Sequence, residues 1–177
     1  MRPKFLVPWG LSDKTVRSYL DILTGTFMIR QLQPWYENLG KRQGKSPMIY
    51  FRDTGLLHSL LDIPDKHSPL GHPKSGASWE GFALEQVLLA LHPNQAYFWG
   101  IHSGAELDLV LPYKGKRFGF EIKFSEAPAV TASMRSSLSE LSLDHLWIVY
   151  PGNVAYPVEK NITTLPLSHL ESLRMEL

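Results

Sequence analysis

Two short stretches place acids and a base where packing alone would want apolar side chains. Residues 106–111 read Glu-Leu-Asp-Leu-Val-Leu, and residues 118–124 read Phe-Gly-Phe-Glu-Ile-Lys-Phe. As strands, the first sends Leu107, Leu109 and Leu111 to one face and Glu106, Asp108 and Val110 to the other. The second separates its Phe and Ile residues from Glu121 and Lys123 in the same way. Lys114-Gly115 between them suits a two-residue type I′ turn, which pairs Tyr113 with Lys116. Counting back, Asp108 falls opposite Glu121 and Glu106 opposite Lys123, and a wider loop around Pro112 keeps the same pairing. Opposed Cβ atoms lie roughly 4.5–5.5 Å apart, so two carboxylates there repel one another unless a cation sits between them.

A third acid comes from an expected helix over residues 79–91, capped by Ser78 and stopped by Pro93. Glu80 falls among Ala83, Leu84, Val87 and Leu91 on the face that meets a sheet, whereas Glu85 lies further round. Its place in the first turn, where free amides and the helix dipole welcome an acid, also accounts for it. An ion pair of Lys123 with Asp108 or Glu106, with no metal, accounts for the hairpin residues equally well.

The elements that must position these groups follow from pattern. Strands are expected at 96–100, 106–111, 118–124, 146–150 and 162–165, a helix at 131–143, and a short helix from Pro166. Upstream, Ser12 caps a helix whose apolar face is Val16, Tyr19, Leu20, Leu23 and Phe27. Strand-like residues 27–33, a polar basic turn at 38–45, a returning strand at 48–51 and a short helix at 53–61 complete that part. Residues 64–76, with three prolines and no hydrophobic period, read as a linker. His67 and His72 within it lack a third ligand nearby and read as solvated.

The chain has 177 residues, 44% of them hydrophobic and 20% charged, enough for one respectable core or two small ones. No apolar run is long enough to span a membrane, and Pro3, Pro8 and Trp9 do not resemble a signal peptide. The absence of cysteine excludes a disulfide scaffold, a thiolate zinc site, an iron–sulfur cluster and thiol catalysis. A soluble cytoplasmic protein is expected. Charge is uneven: residues 1–52 carry nine bases and three acids, net +6, while the remainder carries nine bases and fourteen acids, net −5. That asymmetry suits a basic part that meets a polyanion and an acidic part that holds a divalent cation. The helix–strand–loop–strand order is that of a winged helix, in which Arg17 on the helix and Lys41, Arg42 and Lys45 on the wing contact DNA phosphates.

Glu80, Asp108, Glu121 and Lys123 together resemble the site of the PD-(D/E)xK nuclease-like superfamily. The resemblance implies that Glu80, Asp108 and Glu121 hold Mg²⁺ or Mn²⁺, and that Asp108, Glu121 and Lys123 carry catalysis. A wider resemblance rests on Tyr50-Phe51-Arg52-Asp53-Thr54-Gly55-Leu56, Trp79-Glu80-Gly81-Phe82, Tyr97-Phe98-Trp99, the run around Asp108, and Phe120-Glu121-Ile122-Lys123. These resemble the C-terminal half of a large group of prokaryotic AAA-type ATPases, a domain of unknown function described as winged-helix plus nuclease-like. The expected architecture is therefore α/β (α+β). A truncated winged-helix-like module spans 1–63, a linker 64–76, and a restriction-endonuclease-like mixed sheet flanked by helices 77–177. No phosphate-binding loop of the Walker type occurs, so this chain is expected to lack ATPase activity. The function expected is a Mg²⁺-dependent DNA phosphodiesterase, the alternative a non-catalytic DNA-binding or regulatory module that keeps the fold. DNA, a second copy of the chain or an ATPase are the expected partners, and a membrane is not.

Overall fold

The structure, a computed structural model, describes residues 10, 12–36, 46–63, 75–101 and 104–176. Helix α1 (Asp13–Gly25) begins where the Ser12 hydroxyl accepts the Thr15 amide at 3.2 Å. Strands β1 (Ile29–Pro34) and β2 (Met48–Phe51) then form an antiparallel hairpin, with Arg30 opposite Tyr50. Helix α2 (Thr54–Leu60), capped by Asp53, and the long α3 (Ser75–Leu91) follow. Strands β3 (Tyr97–Gly100), β4 (Glu106–Tyr113) and β5 (Lys116–Ile122) lead to α4 (Ala132–Glu140). Strands β6 (His145–Tyr150), β7 (Pro157–Glu159) and β8 (Ile162–Pro166) precede a 3₁₀ turn and α5 (Leu170–Glu176).

All eight strands belong to one mixed sheet of order β2-β1-β3-β4-β5-β6-β8-β7. The β1–β2 hairpin enters it through parallel pairing of Gln33 with Tyr97 and Pro34 with Phe98. The centre of the sheet is apolar on both faces, as strands covered by helices must be. Trp147 and Val149 of β6 pack with Phe118, Phe120 and Ile122 of β5 and with Leu84, Val87, Leu88 and Leu91 of α3. Leu146 and Ile148, one residue out of phase, pack on the other face with Met134 and Leu141 beside α4. Gly119 lets the core close over β5: a Cβ there would lie 2.6 Å from Leu143 Cδ1 and 2.9 Å from Leu107 Cδ2, so the tips of two buried leucines would have to move. Gly119→Ala should cost about 1–3 kcal/mol by overpacking, read as a lower urea midpoint at unchanged slope.

Several expectations are corrected. Helix α3 starts at Ser75, and Ser78 lies buried within its first turn, its hydroxyl 2.7 Å from the His58 ring. Tyr19 and Phe27 are exposed: among the described residues α1 packs mainly against β1, and of its expected apolar face Val16, Leu20 and Leu23 reach partial cover. Strand β7 lay outside the expected set; with three residues it carries almost no periodic signal. Lys41, Arg42, Lys45, His67 and His72 lie outside the described residues. Among the described residues no helix is long and apolar enough to cross a membrane.

Candidate functional site

The hairpin that carries the acids has the register expected from its turn. Lys114 and Gly115 both take positive φ, 49° and 80°, as a type I′ turn demands, and Tyr113 pairs with Lys116, Leu111 with Phe118 and Leu109 with Phe120. One step further along the same ladder stand Asp108 and Glu121. The ladder does not continue there as backbone. Instead the Asp108 carboxylate takes the place of a main-chain acceptor, receiving the Ile122 amide at Oδ2 over 2.7 Å.

A bulge makes this possible. Tyr97 of β3 pairs with Val110 and Trp99 with Leu107, so β4 uses three steps where β3 uses two. The extra residue falls beside Asp108 and breaks the alternation expected of β4. Leu109 and Leu111 pack in the core under α3, while Leu107 joins Val110 in the core under α4. Bulges re-aim side chains in this manner. No composition signal marks one, which is why strict alternation put Leu107 with Leu109.

Glu121 is only 5% exposed. Its Oε1 accepts from Lys123 Nζ at 2.6 Å, so Lys123 pairs with the acid two residues back on its own strand rather than across the hairpin with Asp108 or Glu106. Its Oε2 is buried without a hydrogen-bond partner. Glu80 is half-buried, and its Oε1 accepts the Tyr50 hydroxyl at 2.7 Å. The Trp79 indole donates to the Lys123 carbonyl over 3.1 Å, pinning the start of α3 to the end of β5. Each of the three acids therefore has one oxygen engaged, by Tyr50, by the Ile122 amide or by Lys123.

These groups perturb one another. Burial, then the charges of Glu121 and Glu80, push the Asp108 carboxyl up to about 8, against the Ile122 amide and Lys123. Burial also raises Glu121, although the Lys123 hydrogen bond and charge oppose it. For Lys123 burial works against the charged form, but Glu121, Asp108 and Glu80 outweigh it and hold the ammonium above its ordinary range. Burial and then Glu80 push the Tyr50 phenol far up, so it stays a donor. Tyr50→Phe should cost about 1 kcal/mol and leave the Glu80 carboxylate without its bond, read as a small fall in Tm with an unchanged circular dichroism spectrum.

The remaining expected residues are placed as follows. Arg17 is exposed on α1. Glu106 is exposed at the head of β4, where its amide and carbonyl both bond the Ser133 hydroxyl, at 2.7 and 2.6 Å. Glu85, assigned away from the sheet, is 2% exposed and receives Arg30 through Nε and Nη2 and Arg52 through Nε at 3.2 Å. The wheel position missed this because the β1–β2 hairpin covers that side of α3. Tyr50 and Arg52 enter the sequence reading only within the run that carries the family resemblance and Arg30 only as one of the basic residues, none of them as a site residue. The one signal was the two-residue spacing of Tyr50 and Arg52, which places both on one face of β2.

As donors, Asp108 and Glu121 offer hard carboxylate oxygens, the chemistry a Mg²⁺ or Mn²⁺ ion takes once both are ionised. Among the described residues no three Asp, Glu or His side chains form a group placed to hold a metal ion by themselves. Magnesium commonly uses one or two carboxylates and completes its shell with water and substrate oxygens, so a pair of acids is compatible with it.

A mixed sheet covered by helices, with acids crowded beside a lysine at the end of its central hairpin, is thus what fold and site define. The chain belongs to the family described as domain of unknown function DUF4143, whose model matches residues 75–170, a C-terminal domain associated with AAA-type ATPases. A second model, domain of unknown function DUF8612, matches residues 7–67. The chain is 48% identical over 160 residues to an uncharacterized protein of Mycobacterium tuberculosis and to one of Mycobacterium bovis, an alignment that covers 90% of this chain. It spans 36% of the length of each of those relatives. A crystal structure of a Vibrio cholerae protein aligns with 94% of this chain and 44% of its own, at 13% identity and a TM-score of 0.33, a likeness too small to establish a shared fold.

Proposed function

We propose that the chain is a divalent-metal-dependent phosphodiesterase module acting on DNA. The observation that carries this reading is Glu121 Oε2, a buried carboxylate oxygen without a hydrogen-bond partner, beside an Asp108 that Glu121 itself disfavours as an anion. Such an arrangement is costly in a purely structural role, and a cation relieves it. Asp108 and Glu121 would hold Mg²⁺, with Glu80 adding negative charge from α3. When bound, the ion polarises a phosphate oxygen and acidifies a coordinated water. Lys123 remains protonated and so serves as a hydrogen-bond donor and a positive charge towards the phosphate or the attacking water; it does not act as the base. Trp79 fixes where Lys123 leaves β5, and Tyr50 fixes Glu80.

The test is cleavage of single-stranded, double-stranded and branched DNA in millimolar Mg²⁺ or Mn²⁺. Cleavage should vanish in Glu121→Gln and fall about 100-fold or more in Lys123→Ala, with the fold retained. No cleavage by the wild type under any of these conditions would remove the nuclease reading. A non-catalytic DNA-binding or regulatory role, with DNA contacted through Arg17 and the basic turn, is the second reading. It is favoured by the Lys123–Glu121 ion pair, which neutralises half of the acidic pair without metal.

A further inference from the structure

Glu85 is a single buried carboxylate serving two guanidinium groups. Arg30 gives it Nε and Nη2, and Arg52 gives it Nε alone. Two guanidinium charges face one carboxylate, and among the described residues the side-chain hydrogen bonds of Arg30 and Arg52 all go to Glu85, through Nε of both and Nη2 of Arg30. A clamp that served only to tie the β1–β2 hairpin to α3 needs one arginine per carboxylate. Both arginine side chains keep about a quarter of their surface exposed, 28% and 27%. They line a groove of about 450 Å³ near the C-terminal end of α3, together with Leu88, His92 and Asn94. Among the described residues no acidic side chain lines that groove.

The two forks are also held still. Glu85 fixes their Nε edges from within, and the Arg52 guanidinium lies 5.4 Å from the centre of the Phe27 ring, which braces it from outside. Phe27 is 73% exposed and sits at φ 61°, a left-handed conformation that is an outlier for a bulky residue. Surplus positive charge on planar forks whose orientation is already fixed matches the geometry of a tetrahedral oxyanion and lowers the ordering cost of binding it.

We propose that the Arg30–Arg52 groove is a phosphate-binding site, taking a phosphate group of a nucleic-acid backbone or of a small phosphorylated molecule. The groove runs towards the C-terminal end of α3, and although Arg30 pairs across the hairpin with Tyr50, the partner of Glu80, the site uses none of the acids of the metal reading and stands whether or not the chain cleaves DNA.

The experiment measures anisotropy of a short labelled oligothymidylate with the whole chain in EDTA, where metal-dependent binding and cleavage are both silent. Arg30→Gln and Arg52→Gln should each weaken binding about tenfold or more, the worth of a lost charge-assisted hydrogen bond. Arg135→Gln, which removes an equal charge from an exposed pair with Glu159 elsewhere, should change it less than about twofold. Arg52→Lys keeps the charge and the partnership with Glu85 but loses the fork; it guards against misfolding and should bind more weakly than wild type. Inorganic phosphate added as competitor separates the sources. Displacement at low millimolar phosphate assigns the site to small phosphorylated molecules, and resistance to phosphate with loss in the arginine variants assigns it to a nucleic-acid backbone. Absence of binding by the wild type to either probe, or equal binding by the wild type and the three groove variants, overturns the proposal.

Discussion

Without metal, the protein should melt at progressively lower temperature as pH rises from about 5 to 8. The cause is Asp108, whose carboxyl is lifted from an ordinary 3.8 to about 8 by burial and by the charges of Glu121 and Glu80. Folding favours its protonated form. The native state therefore holds a proton that the unfolded chain has released over this whole interval, and stability falls with pH. The contribution is fully present below the unfolded value near 4 and is lost as pH passes through the folded value near 8. One proton gives a limiting slope of about 1.4 kcal/mol per pH unit, and Tm moves about 2–4 °C per kcal/mol in a chain of this size. A fall of about 6–14 °C is expected across the interval. Asp108→Asn should flatten the profile, and Glu121→Gln should do so in part by removing the main charge that disfavours Asp108 as an anion. A wild-type profile that is flat or rises over this range, or an Asp108→Asn profile as steep as the wild type, contradicts the assignment.

A second large effect is expected at Glu85. Glu85→Ala strips both Arg30 and Arg52 of their common acceptor and loosens the β1–β2 hairpin from α3. Removing one member of a fully buried pair costs several kcal/mol, but both arginines have exposed edges that water can reach, so about 2–3 kcal/mol is expected here. That corresponds to roughly 5–10 °C in Tm. Glu159→Ala, which opens the exposed pair with Arg135, should leave Tm unchanged within error. Equal effects of the two substitutions would show that burial does not distinguish the pairs.

What could be read from the chain was what rests on near neighbours. The β4–β5 register followed from Lys114-Gly115 and the alternation on either side, because a two-residue turn leaves no freedom in pairing. The twofold covering of the sheet was visible in residues 146–150, apolar on both faces. The local patterns failed where a contact spans the fold. Tyr50 meets Glu80 thirty residues on, and Arg30 meets Glu85 fifty-five residues on, across elements whose packing no periodicity specifies. The bulge beside Asp108 shows only in the pairing of β4 with β3, so alternation read along β4 misplaced Leu107. Tyr19 and Phe27 show the converse: helical spacing marks an apolar face, but burial needs something to cover it, and among the described residues α1 packs mainly against β1.

The central claim is that Asp108 and Glu121 form a divalent-cation site, and calorimetric titration with Mn²⁺ near pH 7 in buffers of different ionisation enthalpy tests it most directly. Metal requires ionised carboxylates, while Asp108 without metal is held largely protonated at that pH, so binding must release a proton. The account predicts one ion per chain, release approaching one proton, a matching rise in Tm, and loss of all three in Asp108→Asn and Glu121→Gln. An absence of Mn²⁺ binding to the wild type, or equal binding and proton release in both variants, would contradict it.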